Sequence, residues 1–219
     1  SRKRISLKSG DVVLFTGDSI TDASRVRKLY DSPNIPSALG SGYATLTAAK
    51  LYRNNPKLDL KFHNTGISGN RIVNLMARWE KDCLALKPTI LSILIGVNDF
   101  NGAFTKTGHG DPMRYEQEYR ELLQRTLTAL PGVQLVIGGP YALKGIVPRI
   151  DAWYPEFVEY PLVARKIADE FNAIFIPYQR IYDEAGADAP AKYYSTDGMH
   201  PSLGGIELMS KAWLDSTGI

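Results

Sequence analysis

Five short apolar runs recur along this chain, separated by segments of helical periodicity, and that alternation restricts its fold more than any other feature. Residues 11–16 form an apolar run ended by Gly17, as expected of a strand buried on both faces. Residues 58–64 alternate apolar and polar and give a weaker strand. Residues 89–95 form the strongest one, closed by Gly96. Residues 133–137, stopped by Gly138-Gly139-Pro140, and residues 173–176 before Pro177 complete the set. Between them, Tyr115, Tyr119, Leu122, Leu123, Leu127 and Leu130 lie at helical spacing. Asp111-Pro112 offers a cap and a first position there, and Pro131-Gly132 a stop. Tyr160, Val163, Ala164, Ile167, Ala168 and Phe171 make a second stripe. Ile206, Met209, Ala212 and Trp213 make a third, with Ser202 as its cap. Weaker helices fall at 42–52 and 70–79. These stripes are core-facing surfaces. Strand and helix alternate without a break in composition, so the chain reads as one α/β domain over residues 1–219, with a parallel sheet covered on both faces.

Composition narrows the function classes. The 219 residues are enough for one well-filled core, and 44% hydrophobic with 22% charged residues is ordinary for a globular protein. A net charge of +3 gives no electrostatic case for nucleic acid, and the basic terminus Arg2-Lys3-Arg4 reads as a solvated tail. No apolar run approaches the roughly 18 to 20 residues of a membrane span. A single cysteine, Cys83, excludes an internal disulfide and a cysteine-based metal cluster. The compartment stays open: a cytoplasmic protein fits, and so does an exported one whose signal peptide has been removed. Oligomeric state is equally open, homo-oligomers included.

In an open parallel sheet, ligands bind outside the carboxyl ends of the strands. The first three runs end in Gly17-Asp18-Ser19, in the segment from Asn64 through Gly69 to Asn70, and in Gly96-Val97-Asn98-Asp99. These polar clusters are expected to meet at one edge. Ser19, on a turn after a strand, is a candidate nucleophile, although serine at such a turn is often a helix cap. His200 lies three residues after Asp197. One imidazole nitrogen is within reach of that carboxylate, which leaves the other for Ser19. The plain alternative is an Asp-Gly turn before Pro201. His63, near a strand, and His109, in a glycine-flanked loop, have no acid placed for them by sequence. Backbone N–H groups of Ser19 and Gly69 and the amide of Asn98 are candidate donors to an oxyanion.

Taken together, Gly17-Asp18-Ser19-Ile20-Thr21-Asp22, Gly66-Ile67-Ser68-Gly69-Asn70, Gly96-Val97-Asn98-Asp99 and Asp197-Gly198-Met199-His200-Pro201 resemble the four signature segments of the SGNH, or GDSL-like, hydrolase superfamily. The resemblance covers nearly the whole chain. It implies a flavodoxin-like three-layer α/β/α sandwich with a five-stranded parallel sheet. It also implies Ser19 as nucleophile, His200 as base, Asp197 as its orienting acid, and Ser19, Gly69 and Asn98 as the oxyanion hole, without metal or cofactor. Ala77-Arg78-Trp79-Glu80 and Asp111-Pro112-Met113 resemble bacterial carbohydrate esterases of the acetylxylan esterase type. Thr196 stands beside the acid where a tryptophan is expected in those enzymes.

The expected activity is hydrolysis of small acyl esters of sugars or oligosaccharides, with Asn70, Tyr193 and Tyr194 as candidate substrate contacts. A lysophospholipase or thioesterase of the same superfamily is the alternative enzyme. A flavin- or nucleotide-binding module would need a glycine-rich phosphate loop after the first strand. Gly17-Asp18-Ser19 has one glycine and an acid that repels phosphate.

Overall fold

In the computed structural model, which describes residues 3–219, five parallel strands form one sheet. They are β1 (Val12–Gly17), β2 (Lys61–Asn64), β3 (Ile90–Leu94), β4 (Gln134–Gly138) and β5 (Ile174–Ile176). The order is β2-β1-β3-β4-β5, the doubly wound arrangement in which connections change direction beside β1. Register is regular: Gly17 of β1 lies opposite Leu94 of β3, and Phe15 opposite Asn64 of β2. Residues 13–17 are all buried, so the continuous apolar run is explained by cover on both faces.

Eleven α-helices connect and cover the strands among the described residues: α1 (Ser19–Asp22), α2 (Pro36–Leu39), α3 (Tyr43–Asn54), α4 (Ile72–Ala77), α5 (Trp79–Asp82), α6 (Val97–Thr107), α7 (Pro112–Ala129), α8 (Pro148–Asp151), α9 (Glu159–Glu170), α10 (Tyr178–Ala185) and α11 (Leu203–Thr217). On one face α3 packs against α11, and Phe15 touches the rings of Tyr43 and Trp213. The Trp213 indole N–H donates to Ser92 Oγ on β3 at 2.9 Å, which satisfies both polar groups inside the core. On the other face α7 packs against α4 and α9. The Trp79 indole donates to Thr126 Oγ1 of α7 at 2.9 Å, and the Tyr115 and Tyr160 rings lie 4.8 Å apart. Of the basic terminus, Arg2 lies outside the described residues.

The caps fall where the residue types place them. Asp111 accepts the Arg114 N–H before Pro112, and Ser202 accepts the Gly205 N–H at the start of α11. Three differences from the sequence reading stand out. Helix α6 was unexpected, because Asn98, Asp99, Asn101 and Gly102 interrupt its apolar spacing and only Val97 and Phe100 are buried. Helix α10 was likewise missed; it buries only Tyr178 and Tyr182. The single helix expected over 70–79 is two, broken at Arg78, whose backbone (φ −114°, ψ 11°) leaves the helical region. No helix among the described residues is long and apolar enough to cross a membrane.

Candidate active site

The carboxyl ends of β1, β2 and β3 come together at the point where the connections diverge. Gly17 ends β1 at φ +154°, and a Cβ there would collide with the Leu94 carbonyl of β3. Only glycine lets the chain turn so closely against its neighbour. Asp18 then caps α1 by accepting the Ile20 N–H at 3.0 Å, so the capping role open to Ser19 belongs to Asp18. Ser19 is the first residue of α1, and its hydroxyl is free for chemistry. Burial pushes the Asp18 carboxyl up to about 7, against the opposing pull of the Ile20 N–H and of His200.

Ser19 Oγ lies 2.8 Å from His200 Nε2, and His200 Nδ1 lies 2.7 Å from Asp197 Oδ2. A carboxylate only accepts, so the imidazole proton sits on Nδ1 and Nε2 faces the Ser19 hydroxyl as an acceptor. The other carboxylate oxygen, Asp197 Oδ1, accepts the N–H groups of both Met199 and His200 at 2.8 Å. The turn and the contact to the His200 imidazole are thus properties of one carboxylate, and the two readings of the motif are compatible. Burial alone would raise the Asp197 carboxyl. The bonds from the His200 backbone and imidazole and from Met199 outweigh it and hold the group below the ordinary carboxylate range.

The turn is fixed from outside as well. Ser195 Oγ–H donates to the His200 carbonyl and accepts the Gly198 N–H, both at 2.8 Å. The Tyr141 hydroxyl donates to the Met199 carbonyl at 2.7 Å. Neither Ser195 nor Tyr141 was singled out from sequence; both act across the fold, and no local pattern marks them.

The loop after β2 carries Gly69 at φ +83°. No protein atom lies within 4 Å of where its Cβ would stand, so the glycine answers to backbone conformation and not to crowding by the protein. Among the described residues, the N–H groups of Ser19 and Gly69 have no protein acceptor. Asp22 holds this loop to α1, its Oδ2 accepting the Ser68 N–H at 3.0 Å and hydroxyl at 3.2 Å and the Arg27 guanidinium at 2.6 Å. Asn98, on the first turn of α6, donates one amide hydrogen to the Asn70 carbonyl at 3.2 Å and keeps the other.

Two of the three expected substrate contacts are otherwise engaged. Asn70 Oδ1 accepts Arg78 Nε at 2.9 Å, so that oxygen holds the loop. Tyr194 is corrected: it is 9% exposed, with its hydroxyl donating to the Ala185 carbonyl at 3.0 Å, because its ring packs inward under the loop before Asp197. Tyr193 is 64% exposed and remains available at the surface. His63 is buried against the Tyr30 carbonyl, and His109 is exposed near Glu156.

A cleft of about 700 Å³, lined by apolar groups such as Leu143, Phe157 and Val158, contains no serine or histidine. Size alone therefore does not mark the site. A smaller, polar cleft of about 250 Å³ includes Arg71, Asp99 and Lys106, the first two being chain neighbours of Asn70 and Asn98. Burial pushes the Asp99 carboxyl up to about 7 as well.

Comparison with known proteins identifies the family. The family model of GDSL-like lipases and acylhydrolases matches residues 15–208. The acetylxylan esterase of Geobacillus stearothermophilus is 33% identical over 218 residues, covering 98% of this chain and 97% of its own length. The crystal structure of a GDSL-like lipase homologue from Parabacteroides merdae superposes with a TM-score of 0.93 at 44% identity, covering 98% of this chain and 99% of its own. Axe2, an acetylxylan esterase from Geobacillus stearothermophilus, gives 0.84 at 32% identity, covering 98% of this chain and 97% of its own, and has also been solved as catalytic mutants. With the family model matching residues 15–208 and a curated relative 33% identical over 98% of the chain, the protein belongs to the GDSL-like lipase/acylhydrolase family and is a carboxylic ester hydrolase.

Proposed function

We propose that the protein removes acetyl groups from carbohydrates, acetylated xylo-oligosaccharides foremost, through a Ser19-His200-Asp197 triad and an acyl-enzyme. The observation that carries the reading is the unbroken relay from Asp197 Oδ2 through His200 to Ser19 Oγ, with both steps under 3 Å. His200 Nε2 takes the hydroxyl proton as Ser19 Oγ attacks the acetyl carbonyl. The oxyanion accepts hydrogen bonds from the Ser19 and Gly69 N–H groups and the free amide hydrogen of Asn98. The tetrahedral centre collapses, His200 returns the proton to the departing sugar oxygen, and the acetyl group stays on Ser19. Water then attacks the acyl-enzyme, with His200 again as base, and acetate leaves.

A small acyl group and a polar leaving group fit the surroundings. The polar cleft includes Arg71 and Asp99, chain neighbours of Asn70 and Asn98, and neither cleft includes Ser19 or His200. The acetylxylan esterase relative supports the same substrate class. The test is a rate panel of acetylated xylo-oligosaccharides, 4-nitrophenyl esters of increasing chain length and acyl-CoA thioesters. Acetylated sugars are expected to give the highest kcat/KM, with rates falling as the acyl chain lengthens. A preference for long acyl chains or thioesters contradicts the reading and selects the lysophospholipase or thioesterase alternative.

A further inference from the structure

We propose that Arg78 is a positioning residue for the oxyanion hole, setting the Asn98 amide through Asn70. Its guanidinium spends its donors on the end of β1 and on the loop after β2. Nε donates to Asn70 Oδ1 at 2.9 Å, Nη1 to the Thr65 carbonyl at 2.6 Å, and Nη2 reaches the Gly17 carbonyl at 3.4 Å. Thr65 and Asn70 bracket the loop that carries Gly69, and Gly17 stands two residues before Ser19. Asp82 Oδ2 accepts Nη1 at 2.9 Å and fixes the guanidinium from the far side. The side chain is 15% exposed, so these bonds are formed away from bulk water. The break between α4 and α5 occurs at this same residue, whose non-helical backbone ends one helix and starts the next.

The link to chemistry runs through one atom. Asn98 Nδ2 donates to the Asn70 carbonyl at 3.2 Å, and among the described residues this is the bond that holds the amide. With one hydrogen committed, the amide plane is set and its second hydrogen points in a defined direction. If the Asn70 carbonyl moves, that direction is lost. Arg78 prevents the movement by gripping the same residue at Oδ1. Arginine suits the task because its rigid fork presents five donors in one plane, whereas a lysine ammonium is a single point on a flexible stem. The inference rests on Asn98 serving the oxyanion, as argued above.

The experiment is a double-mutant cycle on 4-nitrophenyl acetate, with kcat and KM measured for Arg78→Lys, Asn70→Ala, Asn98→Ala and the two doubles carrying Asn98→Ala. Asn98→Ala is expected to lower kcat by about 10² to 10³. Arg78→Lys and Asn70→Ala are each expected to lower kcat about tenfold, since a misaimed donor loses part of that stabilisation, with KM changed less than about threefold. In the Asn98→Ala background both substitutions should cost less than about twofold, because the group they aim is gone. A merely structural role gives the same tenfold loss in both backgrounds and overturns the proposal, as does an unchanged kcat in both single variants. Should Arg78→Lys fail to fold, Asn70→Ala decides alone, since it removes only the side chain that Arg78 grips. Wild-type kcat for Asn98→Ala overturns the oxyanion reading itself, which a crippled Asn98→Ala with additive doubles does not.

Discussion

Asp197 carries two tasks on its two oxygens, and that division explains why the segment was readable from sequence. Oδ1 closes the turn on the Met199 and His200 N–H groups, and Oδ2 orients the imidazole. Asp197→Asn can keep the first task and must fail at the second, since an amide hydrogen facing Nδ1 stabilises the wrong tautomer. The expected result is a folded protein whose kcat falls by about 10⁴. Near-normal turnover in a folded Asp197→Asn protein would contradict the assignment. Ser19, Gly69 and Asn98 were legible as candidates because each sits on a short motif after a strand, and His200 because Asp197 stands three residues before it. Asn70 was legible as a polar residue near the site, but not its bond to Arg78, because the partner lies eight residues on, across a helix break. Tyr194 misled because an aromatic three residues before Asp197 reads the same whether it faces solvent or packs inward. Only burial separates the two.

At the scale of elements, legibility followed apolar spacing. Strands β1 and β3 and helices α7, α9 and α11 present continuous runs or stripes to the core and were found with bounds within about two residues at most ends. Helices α6 and α10 bury two residues each and left no comparable pattern. α6 matters most, because it holds Asn98 on its first turn. Capping gives a quantitative test. Asp111 accepts the Arg114 N–H at 3.2 Å, so Asp111→Ala should reduce stability by about 1 kcal/mol in thermal or denaturant unfolding. Turnover should be unaffected, since α7 contributes no residue to the triad or the oxyanion donors. An unchanged unfolding midpoint would show that the cap adds nothing to α7.

Across the whole molecule, the fold brings the turn after β1 and the loop before α11 to one edge, so the proposed catalytic centre joins residues 181 positions apart. The same edge buries two carboxyls, Asp18 and Asp99, each raised to about 7 from an ordinary 3.8 by loss of water. Such a group binds more protons folded than unfolded between about pH 4 and 7, so its contribution to stability falls as pH rises through that window. Asp99→Asn keeps an acceptor for the Ile72 N–H and removes the titration. Relative to wild type, it should gain stability from pH 5 to pH 8, by at most ~3 kcal/mol. Parallel stability profiles of the two proteins in denaturant would contradict this.

The central claim is that Ser19 Oγ forms the bond to the acyl group. Its most direct measurement is the steady-state rate of purified Ser19→Ala on 4-nitrophenyl acetate, with folding checked by circular dichroism. The expected result is a native fold and a kcat reduced by at least about 10⁴. A folded Ser19→Ala protein that turns over at the wild-type rate would contradict the account.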